Sequence, residues 1–203
     1  MAGTVIAYDR PMGRWEPNAR GRLAEAALEL YSEHGYEQTT VAEIAKRAGL
    51  TERTFFRHYA DKREVLFAGS GELQDLFVRA VTGAPERAAP VDALAAGLDA
   101  VSGAFADRWE HARRRHAVVV ANPELQEREL IKLASMSAAV AGALRGRGVT
   151  EPAASLAAEA GVAVFKVGFE RWIAAAEEGE MASLLRAALA ELKAVTAGHG
   201  AGV

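Results

Sequence analysis

Arg53, Thr54, Arg57 and His58 fall within six residues and carry side chains suited to phosphate oxygens and base edges. They belong to the stretch TERTFFRHY at residues 51–59, where Phe55 and Tyr59 lie four apart and can share a buried helical face. The segment before it must present this helix. Thr40 followed three residues later by Glu43 is a capping-box pair, so a helix should start there. Val41, Ile44, Ala45 and Ala48 make one apolar face. Gly49 can stop that helix in the left-handed conformation, Leu50 can plug the corner, and Thr51 can cap the next helix. Two short helices joined by a three-residue turn, with cations on the second, form a helix-turn-helix layout, which places a helix in the major groove of DNA. An ordinary helical hairpin in a bundle is the alternative reading.

Charge is focused on the same stretch. Residues 46–63 hold Lys46, Arg47, Arg53, Arg57, Lys62 and Arg63 against Glu52 and Asp61, a net of +4 in 18 residues. The whole 203-residue chain is at −3. Arginine early in a recognition helix can read guanine, so Arg53, with Thr51 and Glu52, is a candidate for base edges. Thr40, Thr54, Arg57, His58 and Lys62 are candidates for phosphates, which position a protein without reading sequence. A solvated charged face is the bland alternative.

From about residue 20 to residue 66 the sequence resembles the N-terminal domain of the tetracycline-repressor (TetR) family. The segment ALELYSEHGY at residues 27–36 is similar to the family's first helix and its Gly-aromatic ending. TTVAEIAKRAG at 39–49 is similar to the second helix. TFFRHYADKREVL at 54–66 is similar to the recognition helix and the start of a fourth. The family usually has Tyr where this chain has Phe56, and that hydroxyl commonly contacts a phosphate; Phe56 keeps the ring and loses the bond. The resemblance implies a homodimeric repressor that leaves a palindromic operator in double-stranded DNA when a small-molecule effector binds. The runner-up is a DNA-binding dimer without such a ligand, with an architectural role or under the control of a protein partner.

Composition sets the outer bounds. Half the residues are apolar and a quarter charged, which suits a folded chain with a sizeable core. The absence of cysteine excludes disulfides, thiol chemistry and zinc fingers. No apolar run approaches the roughly 18 residues of a membrane span, and the N-terminus does not read as a secretory signal, so a cytoplasmic location is expected. His111 and His116, five apart, do not converge on one metal. Without a phosphate-cradling glycine loop, nucleophile elbow or His-Glu zinc motif, neither an enzyme nor a cofactor is expected. The Arg113-Arg114-Arg115 run reads as a solvated surface or an anion contact.

The expected architecture is all-α, with about nine helices in three parts. Residues 1–17 form a mobile arm, a disordered solvated tail, with Arg10, Arg14 and Trp15 reaching a minor groove as the alternative. Residues 18–66 form the three-helix DNA-binding domain, and 67–203 form a body for ligand binding and dimerisation. The boundary falls within a fourth helix that starts near Asp61 and is weakened by Gly69 and Gly71. Either these glycines form a compliant joint, or another helix packs closely on them. Asn122 and Pro123 start a later helix, and another is expected over 152–178, apolar on nearly every side. That helix and the last one offer Gly161, Gly168, Leu184, Leu185, Leu189 and Leu192 for pairing with a second copy as a four-helix bundle, the interface that the resemblance implies. The large aromatics of the body, Phe105, Trp109, Phe165, Phe169 and Trp172, can line an apolar effector pocket or pack as core.

Overall fold

The structure, a computed structural model, describes residues 18–175 and 179–198. Every regular element among them is helical: α1 (Ala19–His34), α2 (Val41–Arg47), α3 (Glu52–His58), a 3-10 turn (Glu64–Phe67), α4 (Ser70–Gly83), α5 (Pro90–Gly103), α6 (Trp109–Val120), α7 (Pro123–Gly146), α8 (Ala153–Ala174) and α9 (Met181–Thr196). Among the described residues no helix is long and apolar enough to cross a membrane. The expected N-terminal arm, with Arg10, Arg14 and Trp15, lies outside the described residues.

Local chemistry explains the first three helices. The Asn18 side chain accepts the Gly21 N–H and starts α1. Thr40 and Glu43 form the full capping box at α2, each side chain bonding the other's backbone N–H. Gly49 takes φ 67°, a left-handed value that stops α2. Thr51 accepts the Thr54 N–H at 3.2 Å and starts α3.

Two apolar cores hold the chain. The head core collects Leu23, Leu28, Ile44, Phe55, Tyr59 and Val65, and also Val118, Val119 and Leu125 from the elbow between α6 and α7. The body core collects Phe77, Leu94, Val140, Leu144, Trp172 and Leu185 among others. Ala68 packs on the first and Leu73 on the second, so the two cores part between them. The elbow is the exception, because it lies late in sequence yet serves the head.

Several expectations are corrected. Helix four does not start at Asp61. The Asp61 carboxylate does cap a turn, accepting the N–H groups of Arg63 and Glu64 at 2.8 and 3.1 Å, but the turn is 3-10 and α4 begins only at Ser70. A Cβ placed on Gly69 or Gly71 meets nothing within 4 Å, so close packing within the subunit does not explain these glycines. The penultimate helix ends at Ala174 rather than 178. The Asn122 side chain donates back to the Val118 carbonyl at 2.7 Å instead of capping α7.

The glycines of α8 are corrected too. A Cβ on Gly168 would lie 2.5 Å from Leu185 Cδ2 and 3.3 Å from Leu185 Cα, and one on Gly161 would lie 2.9 Å from Leu94 Cδ2. They let α8 approach α9 and α5 of its own subunit. Leu185 and Leu189 are likewise buried inside the subunit, and Leu184 and Leu192 are partly buried against its core. Gly161, Gly168, Leu185 and Leu189 therefore face inward, taken up by packing within the subunit. The large apolar residues left outside on these helices are Leu156, Val167 and Val195.

Candidate nucleic-acid interface and effector region

Phe55 is fully buried and Tyr59 nearly so, which anchors one face of α3 in the head core. The Tyr59 hydroxyl donates to the Arg20 carbonyl at 2.9 Å and fixes the end of the helix to α1. With that face committed, Glu52, Arg53, Phe56, Arg57 and His58 are exposed. Arg53 and Arg57, one turn apart, make no ion pair among the described residues. Phe56 is 56% exposed and meets the Phe55 ring edge-on at 5.4 Å.

The other cations of the basic stretch are mostly engaged. Arg47 is held by Glu29 and Glu33 at 3.0 and 2.8 Å, and Arg63 by Asp61 at 2.8 Å. The Lys62 ammonium donates to the carbonyls of Tyr36, Glu37 and Thr39 at 2.9, 3.3 and 3.2 Å and sits 4.3 Å from the Tyr36 ring centroid. An ammonium has three N–H bonds, and here all three serve the loop between α1 and α2. The expected phosphate role of Lys62 thus gives way to a positioning one: it pins the loop that carries Thr40. Lys62→Met is expected to lower stability by about 1–3 kcal/mol, through the loss of the hydrogen bonds its ammonium makes to the loop. Its salt dependence of DNA binding should match the parent's. Urea denaturation and titrations at two salt concentrations check this; a flatter salt slope would restore the phosphate role.

The threonines are also partly committed. The Thr40 hydroxyl donates to Glu43 at 2.8 Å while accepting its N–H, and the hydroxyls of Thr51 and Thr54 lie 3.0 Å apart. The carboxyl of Glu43 is lowered by the Thr40 backbone and hydroxyl bonds, which keeps it an acceptor.

In the body, four of the five expected aromatics meet. Phe105 contacts Phe165, Phe169 and Trp172 at centroid distances of 6.2, 5.6 and 5.7 Å, and Phe165 and Phe169 stack at 6.0 Å. Trp109 joins through its indole N–H, which donates to the Trp172 carbonyl at 2.9 Å. Phe105, Trp109 and Phe169 remain partly exposed, and His116 approaches Phe169 edge-on at 6.1 Å.

Helix α6 runs from this cluster to the head. Trp109 opens it, and Val118 and Val119 near its end are buried in the head core. Along its length His111 lies 3.4 Å from Glu25 of α1. Arg115 donates to the Leu66 carbonyl at 2.8 Å, pairs with Glu129 at 2.9 Å and covers the Phe67 ring. The arginine run thus divides: Arg113 lies over the Trp109 ring at 4.5 Å, Arg114 reaches Glu25 at 3.8 Å, and Arg115 ties body to head. Sequence gave no sign of Arg115's task, because its partners are a carbonyl and a ring distant in the chain.

Comparison with known proteins extends the picture over most of the chain. The sequence pattern of bacterial regulatory proteins of the tetR family matches residues 23–68, and that of the MftR C-terminal domain matches 88–197. The HTH-type transcriptional regulator TcmR of Streptomyces glaucescens is 34% identical over 110 residues, 49% of this chain and 49% of its own. A Mycobacterium tuberculosis protein named as the mycofactocin biosynthesis transcriptional regulator MftR is 29% identical over 125 residues, 60% of this chain and 61% of its own. The chain therefore spans about half to three-fifths of the curated relatives it matches. The crystal structure of the regulator FadR of Bacillus subtilis, in complex with stearoyl-CoA, superposes with a TM-score of 0.59 at 20% identity, covering 85% of this chain and 96% of that one; at that identity the likeness is one of fold.

Proposed function

Since the chain belongs to the TetR family of bacterial regulatory proteins, we propose that it is a homodimeric, sequence-specific DNA-binding transcriptional regulator, a cytoplasmic repressor released from a palindromic operator by a small molecule. The observation that carries this reading is the outward face of α3, where Arg53, Phe56, Arg57 and His58 stand exposed while neighbouring cations are paired away. Arg53 takes a base edge, with Thr51 and Glu52 beside it. Arg57, His58 and Thr54 take phosphates, and Phe56 offers an apolar surface of the kind that meets a thymine methyl. The test is selection of an operator from random DNA, followed by Arg53→Ala. Specific binding should weaken by about 1–3 kcal/mol, with the dimer intact. Unchanged affinity for the selected operator removes Arg53 from the reading site.

The effector region in this reading is the cluster of Phe105, Trp109, Phe165, Phe169 and Trp172, which favours an apolar effector. A ligand entering there must part rings already in contact, and α6 is the route by which that displacement reaches the head. Only a ligand with different affinity for two head spacings can release DNA. The packed state of the rings also favours the second reading, a DNA-binding dimer without an effector. A thermal-shift screen with apolar metabolites separates the two, since stabilisation requires a binding site.

The break at residues 68–69 gives the coupling a place to bend. Gly69→Ala/Gly71→Ala is expected to stabilise the chain by about 0.4–1 kcal/mol per site, because the added methyls meet open space and the unfolded chain loses freedom. The variant should hold its operator and release it poorly when effector is added. Normal release in a stabilised variant would end the joint hypothesis.

A further inference from the structure

A cleft of about 430 Å³ opens between head and body. Its lining includes Arg20 of α1, His58 at the end of α3, Gln74 of α4, and Arg128 and Lys132 of α7. Three permanent cations and an imidazole thus line one space against a single acidic residue, Glu64 of the 3-10 turn. Glu64 divides its two oxygens, one accepting from Arg128 Nε and the other from Lys132 Nζ at 3.0 Å. One carboxylate cannot neutralise two cations, so the α7 pair keeps an excess of one positive charge. Arg20 donates to the Ala68 carbonyl and to Glu72, whose side chain is largely exposed.

A carboxylate held between a guanidinium and an ammonium is the arrangement an anionic ligand adopts. Glu64 supplies it from within the chain and fills only part of the space. The volume lies in the range of small-molecule sites, and the polar groups come from both sides of the break at residues 68–69. We propose that this cleft is a second ligand site, which takes a small multivalent oxyanion, a phosphate- or carboxylate-bearing metabolite, on Arg128, Lys132 and Arg20 in competition with Glu64. The site is separate from the aromatic cluster and needs no apolar ligand. An anion seated there joins the head, through Arg20, to α7 of the body.

The test uses the full chain without DNA, so it stands apart from the operator reading. Inorganic pyrophosphate and citrate are titrated by calorimetry and thermal shift, with sodium chloride at matched ionic strength as the control. At least one should bind saturably and raise Tm beyond the chloride control; which of the two binds tighter tells phosphate from carboxylate. Glu64→Gln, which removes the internal competitor, should bind the same probe about tenfold tighter, equivalent to one charged hydrogen bond. Removing cations alone would strand Glu64, so the loss of binding is tested in the neutral variant Glu64→Gln/Arg128→Gln/Lys132→Gln. It should stay folded by circular dichroism and bind neither probe. If neither probe binds saturably to the parent or to Glu64→Gln, or if the triple variant binds as the parent does, the site is overturned. Loss of fold in the triple variant moves the decision to Glu64→Gln alone, where unchanged or weaker affinity overturns it.

Discussion

Val167→Glu should yield a folded monomer, and its neighbour Gly168→Glu should yield no folded protein. The two positions differ in what surrounds them. Val167 is 44% exposed on the isolated subunit, and Leu156 on the same helix is 67% exposed. Residues 156, 163 and 167 are spaced seven and four apart, one stripe along α8, and all three are exposed. Val195 of α9 is exposed as well. In the proposed dimer the second copy lies on this exposed stripe. In a twofold dimer each substitution is present twice in one interface, so Glu at 167 buries two unpaired like charges there. Gly168 is buried instead, and a Cβ there would lie 2.5 Å from Leu185 Cδ2 and 3.3 Å from Leu185 Cα. A carboxylate there is buried within the subunit and clashes with α9, at a cost that is a large share of an ordinary domain stability of about 5–15 kcal/mol. Sedimentation and circular dichroism distinguish the outcomes. A dimeric Val167→Glu would move the interface off this face of α8. A folded Gly168→Glu would mean that α8 and α9 can part.

How much of this was legible in sequence depends on the range of the interactions. The capping box of Thr40 and Glu43, the stop at Gly49, the cap at Thr51 and the buried pair Phe55 and Tyr59 all operate within four residues, and the structure repeats them. In the body Leu94, Leu98 and Val101 are buried at helical spacing, an equally local pattern. What a side chain meets across the molecule was not. Lys62 looked like a phosphate ligand because it is basic and close to the recognition helix. Its carbonyl partners lie more than 20 residues away and leave no mark on composition. The α8 glycines do mark a close approach, to Leu94 and Leu185, but a glycine pattern does not say whether the approaching helix belongs to the same subunit. The boundary drawn after residue 66 groups the α6–α7 elbow with the body, as a sequence reading groups what is contiguous; it cannot show that Val118, Val119 and Leu125 of that elbow pack on the head core.

That elbow supplies the other large effect. Leu125→Ala, in the first turn of α7, is expected to destabilise the DNA-binding head by about 2–5 kcal/mol, the usual cost of removing a fully buried leucine side chain and leaving a cavity. Leu125 has no exposed surface and packs with Val118 and Val119 among the residues of α1 and the 3-10 turn. The cavity therefore opens in the head, although the substitution lies nearly 60 residues beyond Leu66. Hydrogen exchange should show faster exchange for α1 amides, and urea denaturation should show a lower midpoint. Operator affinity should fall with the head's stability, even though Leu125 is buried beyond reach of DNA. If α1 keeps its protection while α8 and α9 lose theirs, the elbow serves the body and the two-core division is wrong. If the head alone is weakened, the same packing that stabilises it also ties it to α6. A displacement of α6 at the aromatic cluster then cannot leave the head unmoved, because Val118 and Val119 are part of both structures.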